Sequence, residues 1–339
     1  MEPLTAPPSG ILNRKVLVLG FLSTVGDLEV LHEIEAHLAG MGLHYAIAAY
    51  SAKVSRGNPD WVDARTVDPQ HFGHLIVVCG PFFPALFAKE RDLFARFAHC
   101  TWIGVNLSMI LDVQEFNPFD ALLERDSERT IRPDLSFLQL PSKVAVVGLC
   151  LASRQPEYGA KQNHALAEAK LRALIARSGV AVVTLDTRWP AARNSQATAN
   201  ASQFESLCAR VDVMLTTRLH GTVLALKNGV PVIAVDAIAG GDKLTSQAKR
   251  VGWPEIYAAD SVSSADLDAA LARCLQPEAR VRAMDCARQA AADLADFGAE
   301  FHRALDVKTR RLPLSQPHQF WLGLMTKAKL INQKLKNKR

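Results

Sequence analysis

The sequence lacks the marks of several common protein classes. Its six cysteines are scattered and form no CxxC pair or other metal-ligand spacing, so neither a metal site nor a disulfide framework is predicted. No run of 18 or more apolar residues occurs, so no membrane-spanning helix is predicted. The first ten residues carry no basic segment and no apolar core, and a signal peptide is therefore not expected. A reduced, cytoplasmic protein is the simplest prediction.

A dinucleotide fingerprint is also missing. The glycines that follow the first strand-like run, from Gly20 to Gly26, have the wrong spacing for GxGxxG. We therefore predict no cofactor.

The composition is that of an ordinary globular protein with room for two domains. Of its 339 residues, 49% are hydrophobic and 22% are charged. Runs typical of buried strands, such as 15–20, alternate with helical spacing, such as 27–38, which favours α/β layers with parallel sheets. A polar, irregular segment (112–140) separates two such halves. We predict a leader (1–14), an N-terminal α/β domain (15–140), a C-terminal α/β domain (141–310) facing it across a cleft, and a basic tail (311–339).

One stretch, 211–236, carries the strongest functional signal. Its pattern predicts a strand, a polar loop, a short helix and a second strand, so the loop follows a strand end, where open α/β sheets bind ligands. Arg218 would hold a carboxylate or phosphate with its planar guanidinium group. His220 would donate or accept a proton near neutral pH. The backbone N–H groups of Gly221 and Thr222 would face the anion at the helix start.

A structural alternative exists for both charged side chains. Arg218 could pair with an acid such as Asp212, and His220 could cap the helix. The position of the motif between a strand and a helix favours the functional reading.

Two more cations follow predicted strands. Lys243, after Gly240-Gly241-Asp242, would add positive charge to the same ligand, or would be solvated in a flexible turn. Arg154 would be a second anion ligand or a surface side chain. In the first half, Gly26 and Asp27 close the loop after the first strand, where Asp27 would face the cleft or serve as a helix N-cap.

The tail predicts a contact of another kind. Residues 318–339 carry six Lys and Arg and no acid. Phe320, Trp321 and Leu324 have helical spacing and precede the basic residues, which is typical of a helix lying on an anionic membrane surface. The alternative is a C-terminal helix docked on the body. No basic stripe occurs elsewhere, so nucleic-acid binding is not predicted.

The second half resembles the polysaccharide pyruvyl transferase family. The resemblance rests on Asp212, the Arg-Leu-His-Gly run at 218–221, the short helix at 224–227 and Gly229-Val230-Pro231. Weaker family features lie at Gly26-Asp27 and at Arg125-Asp126-Ser127 with Asp134, so the resemblance extends over about residues 15–260.

The resemblance implies two Rossmann-like domains in a GT-B-like arrangement. It also implies transfer of a pyruvyl group from phosphoenolpyruvate to a sugar of a cell-surface polysaccharide, a glycan precursor or a lipid-linked saccharide, with release of phosphate. Arg218 and His220 would then belong to the donor site, and the first domain would bind the acceptor.

Two alternatives to a pyruvyl transferase stay open. A GT-B glycosyltransferase that uses a nucleotide sugar would have the same architecture. The loops at 23–25 and 79–81 depart from the family pattern, which motivates a non-catalytic relative in a polysaccharide assembly complex.

Overall fold

The structure, a computed structural model, describes residues 15–153, 155–241 and 243–307. The predicted leader, Arg154 and the predicted tail lie outside these residues, so the membrane contact of the tail stays a prediction. The chain divides into two compact units between Ser142 and Lys143. The sequence analysis placed this junction at residue 141.

The first unit is built on a five-stranded sheet. Its strands and helices are β1 (Lys15–Gly20), α1 (Val25–Gly40), β2 (Tyr45–Ala49), α2 (Ala52–Gly57), β3 (Phe72–Val78), β4 (Pro81–Phe82), α3 (Pro84–Lys89), α4 (Arg91–Arg96), β5 (Thr101–Val105), β6 (Ser108–Met109) and β7 (Ala121–Leu123). The main sheet has the order β2-β1-β3-β5-β7, and its neighbouring strands are all parallel. β4 and β6 form a separate parallel pair.

The second unit is built on another five-stranded parallel sheet. Its elements are β8 (Val146–Cys150), α5 (His164–Ser178), β9 (Ala181–Thr184), α6 (Ala201–Cys208), β10 (Val213–Thr216), α7 (Leu219–Lys227), β11 (Val232–Asp236), α8 (Lys243–Arg250), β12 (Ile256–Ala258), α9 (Ser264–Cys274), α10 (Pro277–Asp293) and α11 (Phe297–Leu305). The order is β12-β11-β10-β8-β9.

The two sheets share one topology. If the five strands of each main sheet are numbered along the chain, they lie in the order 2-1-3-4-5. The direction in which strands are added reverses beside the first strand, between β1 and β3 and between β8 and β10. Such a reversal leaves a crevice at the carboxyl ends of the strands, where ligands bind. The predicted α/β fold with parallel sheets is confirmed.

The sheet centres are strongly apolar because helices cover them. Every residue of β10 and β11 is buried, as expected for parallel strands packed on both faces. All six cysteines are free and buried, and burial raises the pKa of Cys79 to about 12. These cysteines therefore pack as small hydrophobic residues.

Several boundaries differ from the sequence prediction. The short edge strands β7 and β12 were not predicted, since three residues carry little periodic signal. α7 starts at Leu219, before the short helix that the sequence placed at 224–227, so Leu219, His220 and Gly221 form its first turn. The helical pattern of the sequence over 278–305 forms two helices, α10 and α11, and no Gly or Pro marks the break between them.

Among the helices of the described residues, none is both long and apolar enough to cross a membrane.

Glu124, directly after β7, holds the irregular segment that follows the sheet. Its buried side chain accepts hydrogen bonds from Arg129 Nε at 2.5 Å and Arg129 Nη2 at 3.1 Å, and from Ser127 Oγ at 3.2 Å. The hydrogen bonds from Arg129 lower the pKa of Glu124 from 4.5 to about 2, although burial opposes this shift. The ionised carboxylate is therefore the form that stabilises the fold.

We expect Glu124→Gln to weaken the acid dependence of stability. Because the pKa of Glu124 is depressed in the folded state, its contribution is present above pH 4.5 and is lost as the pH falls toward about 2. The variant should be less stable than wild type at pH 7 and should lose less stability across that window. Urea unfolding followed by circular dichroism from pH 7 to pH 2.5 measures both effects.

A matched control is Glu168→Gln, which removes an exposed ion pair with Arg172 on α5. Exposed pairs contribute little to stability, so this variant should follow the wild-type curve. An unchanged acid dependence in Glu124→Gln would contradict the assignment.

Candidate functional site

A cavity of about 380 Å³ opens at the carboxyl edge of the second sheet. Its walls come from the segments that follow β8, β9, β10 and β11 and from the first turns of α5, α7 and α8. It therefore lies at the reversal between β8 and β10. Its charged and titratable lining residues are His164, Arg188, Arg218, His220, Asp236 and Lys243. Arg188 is paired with Asp186 outside this lining, and Arg218 and Lys243 outnumber the one acid in it, so the cavity favours an anionic ligand.

Arg218 is held in place from two neighbouring loops. Its Nε donates a hydrogen bond to the carbonyl oxygen of Leu151 at 2.6 Å, and its Nη1 donates to Thr187 Oγ1 at 3.1 Å. The nearest oxygen of Asp186 lies 3.9 Å from Arg218 Nη2. The side chain is only 18% exposed, and these hydrogen bonds orient it without a ligand. The guanidinium group has five N–H donors, and those not used in these contacts can bind an anion.

The structural alternatives of the sequence analysis are wrong for Asp212 and for His220, whereas Arg218 does lie near a different acid, Asp186. Asp212 accepts a hydrogen bond from the Val146 N–H at 2.8 Å and pairs with Arg280 at 3.2 Å, so it is not the partner of Arg218. His220 is not a cap either, because Arg218 occupies the N-cap position of α7.

The first turn of α7 adds backbone donors to the cavity. Arg218 makes no side-chain capping hydrogen bond, so the N–H groups of Leu219 and His220, which both line the cavity, keep their capacity for a ligand. A helix N-terminus of this kind attracts negative charge.

Gly221 lets this turn lie close to the sheet. A Cβ atom at this position would overlap Thr216 Oγ1 and would lie 3.2 Å from Cys150 Sγ. Thr216 Oγ1 itself donates to the Cys150 carbonyl oxygen at 2.7 Å and accepts from the Arg218 N–H at 2.9 Å. The glycine therefore sets how close the helix start comes to β8 and β10.

Arg188 brings a second guanidinium group, balanced by an acid. Asp186 Oδ2 accepts from Arg188 Nε at 2.7 Å and lies 2.6 Å from Arg188 Nη2. Burial would raise the pKa of Asp186, but the hydrogen bonds from Arg188, together with the charges of Arg188 and Arg218, hold it below its ordinary value. Asp186 is therefore ionised near neutral pH and orients Arg188.

His220 and Lys243 complete the predicted set in the cavity. The His220 side chain is exposed on the first turn of α7. Lys243 begins α8, so it does not lie in a flexible turn, and its Nζ lies 5.9 Å from the centre of the Tyr158 ring. The structure thus brings Arg218, His220 and Lys243 together at one cavity.

The remaining predicted residues lie elsewhere. Thr222 is buried and its hydroxyl donates to the carbonyl oxygen of Arg218 at 3.2 Å, so it packs the helix and does not line the cavity. Gly221 likewise acts through packing. Gly26 and Asp27 belong to the first unit, and Arg154 lies outside the described residues.

Asp27 has a structural role that differs from the predicted one. The N-cap of α1 is Thr24, whose Oγ1 accepts from the Asp27 N–H at 3.2 Å. Asp27 Oδ2 in turn accepts from the N–H groups of Ser23 at 3.0 Å and Thr24 at 2.9 Å. This reciprocal pattern is a capping box, in which Asp27 is the third helical residue and not the cap.

Sequence reasoning missed the contribution of the loop after β9. Asp186, Thr187 and Arg188 follow the apolar, β-branched run at 180–185, which has the pattern of a strand, so the strand-end argument used for Arg218 would have found them.

Neither a metal site nor a nucleophilic thiol is supported by the described residues. No group of three or more His, Cys, Asp and Glu side chains forms a metal-binding cluster there. Burial raises the pKa of Cys150 to about 11, despite the nearby charge of Arg218. Its thiol stays protonated at neutral pH and is a poor nucleophile.

The family comparison agrees with the site. Residues 161–237 match the model of the polysaccharide pyruvyl transferase family. This segment includes His164, Arg188, Arg218, His220 and Asp236, which line the cavity. The resemblance inferred from the sequence is confirmed for this part of the chain. No curated protein matches the chain in sequence.

Solved structures show only distant similarity. The glycotransferase of kitacinnamycin has 12% identity and a TM-score of 0.29 over 83% of this chain and 98% of its own. The UDP-GlcNAc 2-epimerase from Methanocaldococcus jannaschii has 10% identity and a TM-score of 0.30 over 78% and 94%. The E. coli heptosyltransferase WaaC with ADP has 12% identity and a TM-score of 0.26 over 81% and 99%.

We expect Gly221→Ala to destabilise the second unit and to displace the first turn of α7. The added methyl group overlaps Thr216 Oγ1, and such overpacking costs about 1–3 kcal/mol. The control is Gly298→Ala in the first turn of α11, where an added Cβ meets no atom within 4 Å. Thermal unfolding of both variants measures the difference, and equal stability would show that the close approach is not required.

Proposed function

We propose that this protein is a pyruvyl transferase that moves the pyruvyl group of phosphoenolpyruvate to a sugar of a cell-surface polysaccharide or glycan precursor. The family match over residues 161–237 supports a transferase. The observation that carries the donor assignment is the position of Arg218, fixed by Leu151 and Thr187 beside the uncapped first turn of α7.

Phosphoenolpyruvate fits the charge pattern of this cavity. The molecule carries a phosphate and a carboxylate close together, so it needs several donors that converge from different directions. Arg218 and the N–H groups of α7 supply one set, and Arg188 and Lys243 supply cations on other walls. Charge-assisted hydrogen bonds of this kind bind more strongly than neutral ones.

The reaction needs acid–base chemistry in addition to anion binding. Protonation of the methylene carbon of phosphoenolpyruvate makes C2 electrophilic, and a sugar hydroxyl adds there. Loss of phosphate and attack by a second hydroxyl give a cyclic ketal. The two hydroxyls release two protons. One replaces the proton taken up when the methylene becomes a methyl group, and the other leaves with phosphate. No cofactor is required in this scheme, and phosphoenolpyruvate is a substrate.

His220 is the group that we assign to proton transfer. It projects from the first turn of α7, is exposed and lines the cavity. An imidazole can both donate and accept a proton near neutral pH, and a positioned general acid or base contributes about 10²–10⁴-fold to a rate.

We expect phosphoenolpyruvate to raise the melting temperature of the full chain, and UDP and GDP to leave it unchanged. In Arg218→Lys the charge remains, but the planar group that Leu151 and Thr187 orient is lost. Hydrogen bonds to charged groups contribute about 1.5–3 kcal/mol each, so the affinity for phosphoenolpyruvate should fall about tenfold or more. Differential scanning fluorimetry over a ligand titration measures this change.

Arg172→Lys is the matched control, because Arg172 is an exposed arginine on α5 that pairs with Glu168 away from the cavity lining. Stabilisation by UDP or GDP and none by phosphoenolpyruvate would instead identify a nucleotide-sugar glycosyltransferase.

We expect His220→Gln to release phosphate from phosphoenolpyruvate about 10²–10⁴-fold more slowly than wild type, while still binding phosphoenolpyruvate. The assay mixes protein, phosphoenolpyruvate and a broad set of acceptors that includes native glycan lipids, and it detects inorganic phosphate. The control is His302→Gln on the exposed helix α11. Full activity in His220→Gln would reject the role of this histidine, and no release by wild type with any acceptor would count against the proposed function.

A further inference from the structure

A second cavity, of about 210 Å³, adjoins the first one within the second unit. Thr187, Arg188 and His220 line both cavities. The rest of the second wall combines an apolar part, formed by Trp189, Ala201, Phe204 and Leu224, with the polar residues Asp186, Thr198 and Asn200. A ligand there would lie directly beside the anion in the first cavity.

Trp189 presents an unusually open aromatic surface to this second cavity. The residue is 73% exposed, yet its position is fixed, since Nε1 donates a hydrogen bond to the carbonyl oxygen of Ala199 at 3.1 Å. The polar atom of the indole is therefore satisfied within the loop, and the apolar ring faces are left for a ligand. An exposed aromatic ring whose polar atom is already hydrogen-bonded and whose apolar faces are open is typical of a binding surface.

The loop that carries Trp189 is braced from inside. The side-chain amide of Asn194 donates to the carbonyl oxygens of Asp186 at 2.7 Å and Arg188 at 3.0 Å, and it lies 2.6 Å from Thr198 Oγ1. These bonds hold the residues on both sides of Trp189. The ring is thus presented in a fixed place, which lowers the entropy cost of binding against it.

The second cavity favours a neutral ligand with hydroxyl groups. Its two charged residues, Asp186 and Arg188, are paired with each other at 2.6 Å. The side-chain oxygen of Asn200 caps α6 by accepting from the Gln203 N–H at 3.0 Å, which directs its amide donor elsewhere. A sugar ring matches this combination, because it has apolar C–H faces for an aromatic ring and hydroxyl groups for amide, hydroxyl and imidazole partners.

We propose that Trp189 is the stacking platform for the sugar ring that accepts the pyruvyl group. This inference rests on the proposed function, since it takes the neighbouring anion to be the donor. His220 lines both cavities, so a hydroxyl of a ring on Trp189 lies beside the group assigned to proton transfer. The sequence analysis assigned acceptor binding to the first domain; the reacting ring is here assigned to the second.

The test uses the full chain and neutral methyl glycosides of common hexoses as probes. Saturation-transfer NMR should show binding to wild type and, more weakly, to Trp189→Phe, and the signal should fall to background in Trp189→Ala. Asn200→Asp keeps the capping oxygen and removes the amide donor, so it should weaken glycoside binding severalfold. Phe301→Ala removes another exposed aromatic ring, on α11 and outside both cavities, and should bind like wild type.

A second readout does not depend on a truncated side chain. In protein labelled with 5-fluorotryptophan, the resonance that is absent from Trp189→Phe should shift when a glycoside is added, and the resonances of the other tryptophans should not. This measurement holds even if Trp189→Ala does not fold.

Three outcomes would overturn the proposal. In the first, wild type and Trp189→Ala bind glycosides equally. In the second, no glycoside shifts the Trp189 resonance. In the third, uridine or adenosine shifts this resonance and glycosides do not. If phosphoenolpyruvate stabilises the protein and glycosides do not reach Trp189, the inference fails alone. If glycosides shift Trp189 and phosphoenolpyruvate has no effect, the proposed donor fails while the sugar platform stands.

Discussion

The hydrogen bonds of Arg218 are the interaction on which the second unit's site depends. Arg218 follows β10, and its guanidinium group joins Leu151, after β8, to Thr187, after β9. One side chain thus connects three strand ends at the point where the strand order reverses. A largely buried guanidinium group must keep its partners, so the loops that receive it are held in register with each other, and the cavity between them keeps its shape without a ligand.

Packing and binding are divided between neighbouring residues of one motif. In the run 218–221, Arg218, Leu219 and His220 line the cavity, whereas Gly221 faces the sheet and lets the helix start approach Thr216. Thr222 then closes the turn through its own hydroxyl. A helix has about 3.6 residues per turn, so Gly221 points in a different direction from His220. The same turn that orients the backbone N–H groups also places the two functional side chains.

The sequence revealed those site residues that belong to a pattern of adjacent residues along the chain. It missed the contacts that depend on which strands are neighbours in the sheet. Strand ends and the run at 218–221 are local, and they pointed to Arg218, His220 and Lys243. The actual partner of Asp212 is Arg280, which is distant along the chain and could not be chosen over Arg218 without the fold. Asp186 and Arg188 were within reach of the strand-end argument, but nothing in the sequence indicated that Trp189 would be exposed and fixed.

The loop between β9 and α6 closes its hydrogen bonds largely on itself, through Asn194 and Trp189. Such a segment is held in its conformation mainly by its own hydrogen bonds. The part from Trp189 onward can be exchanged or diversified in the laboratory while the sheet and Thr187, which accepts a hydrogen bond from Arg218, are left unchanged. Selection can act on it in the same way, so that ligand preference changes through one loop and the fold is inherited unaltered.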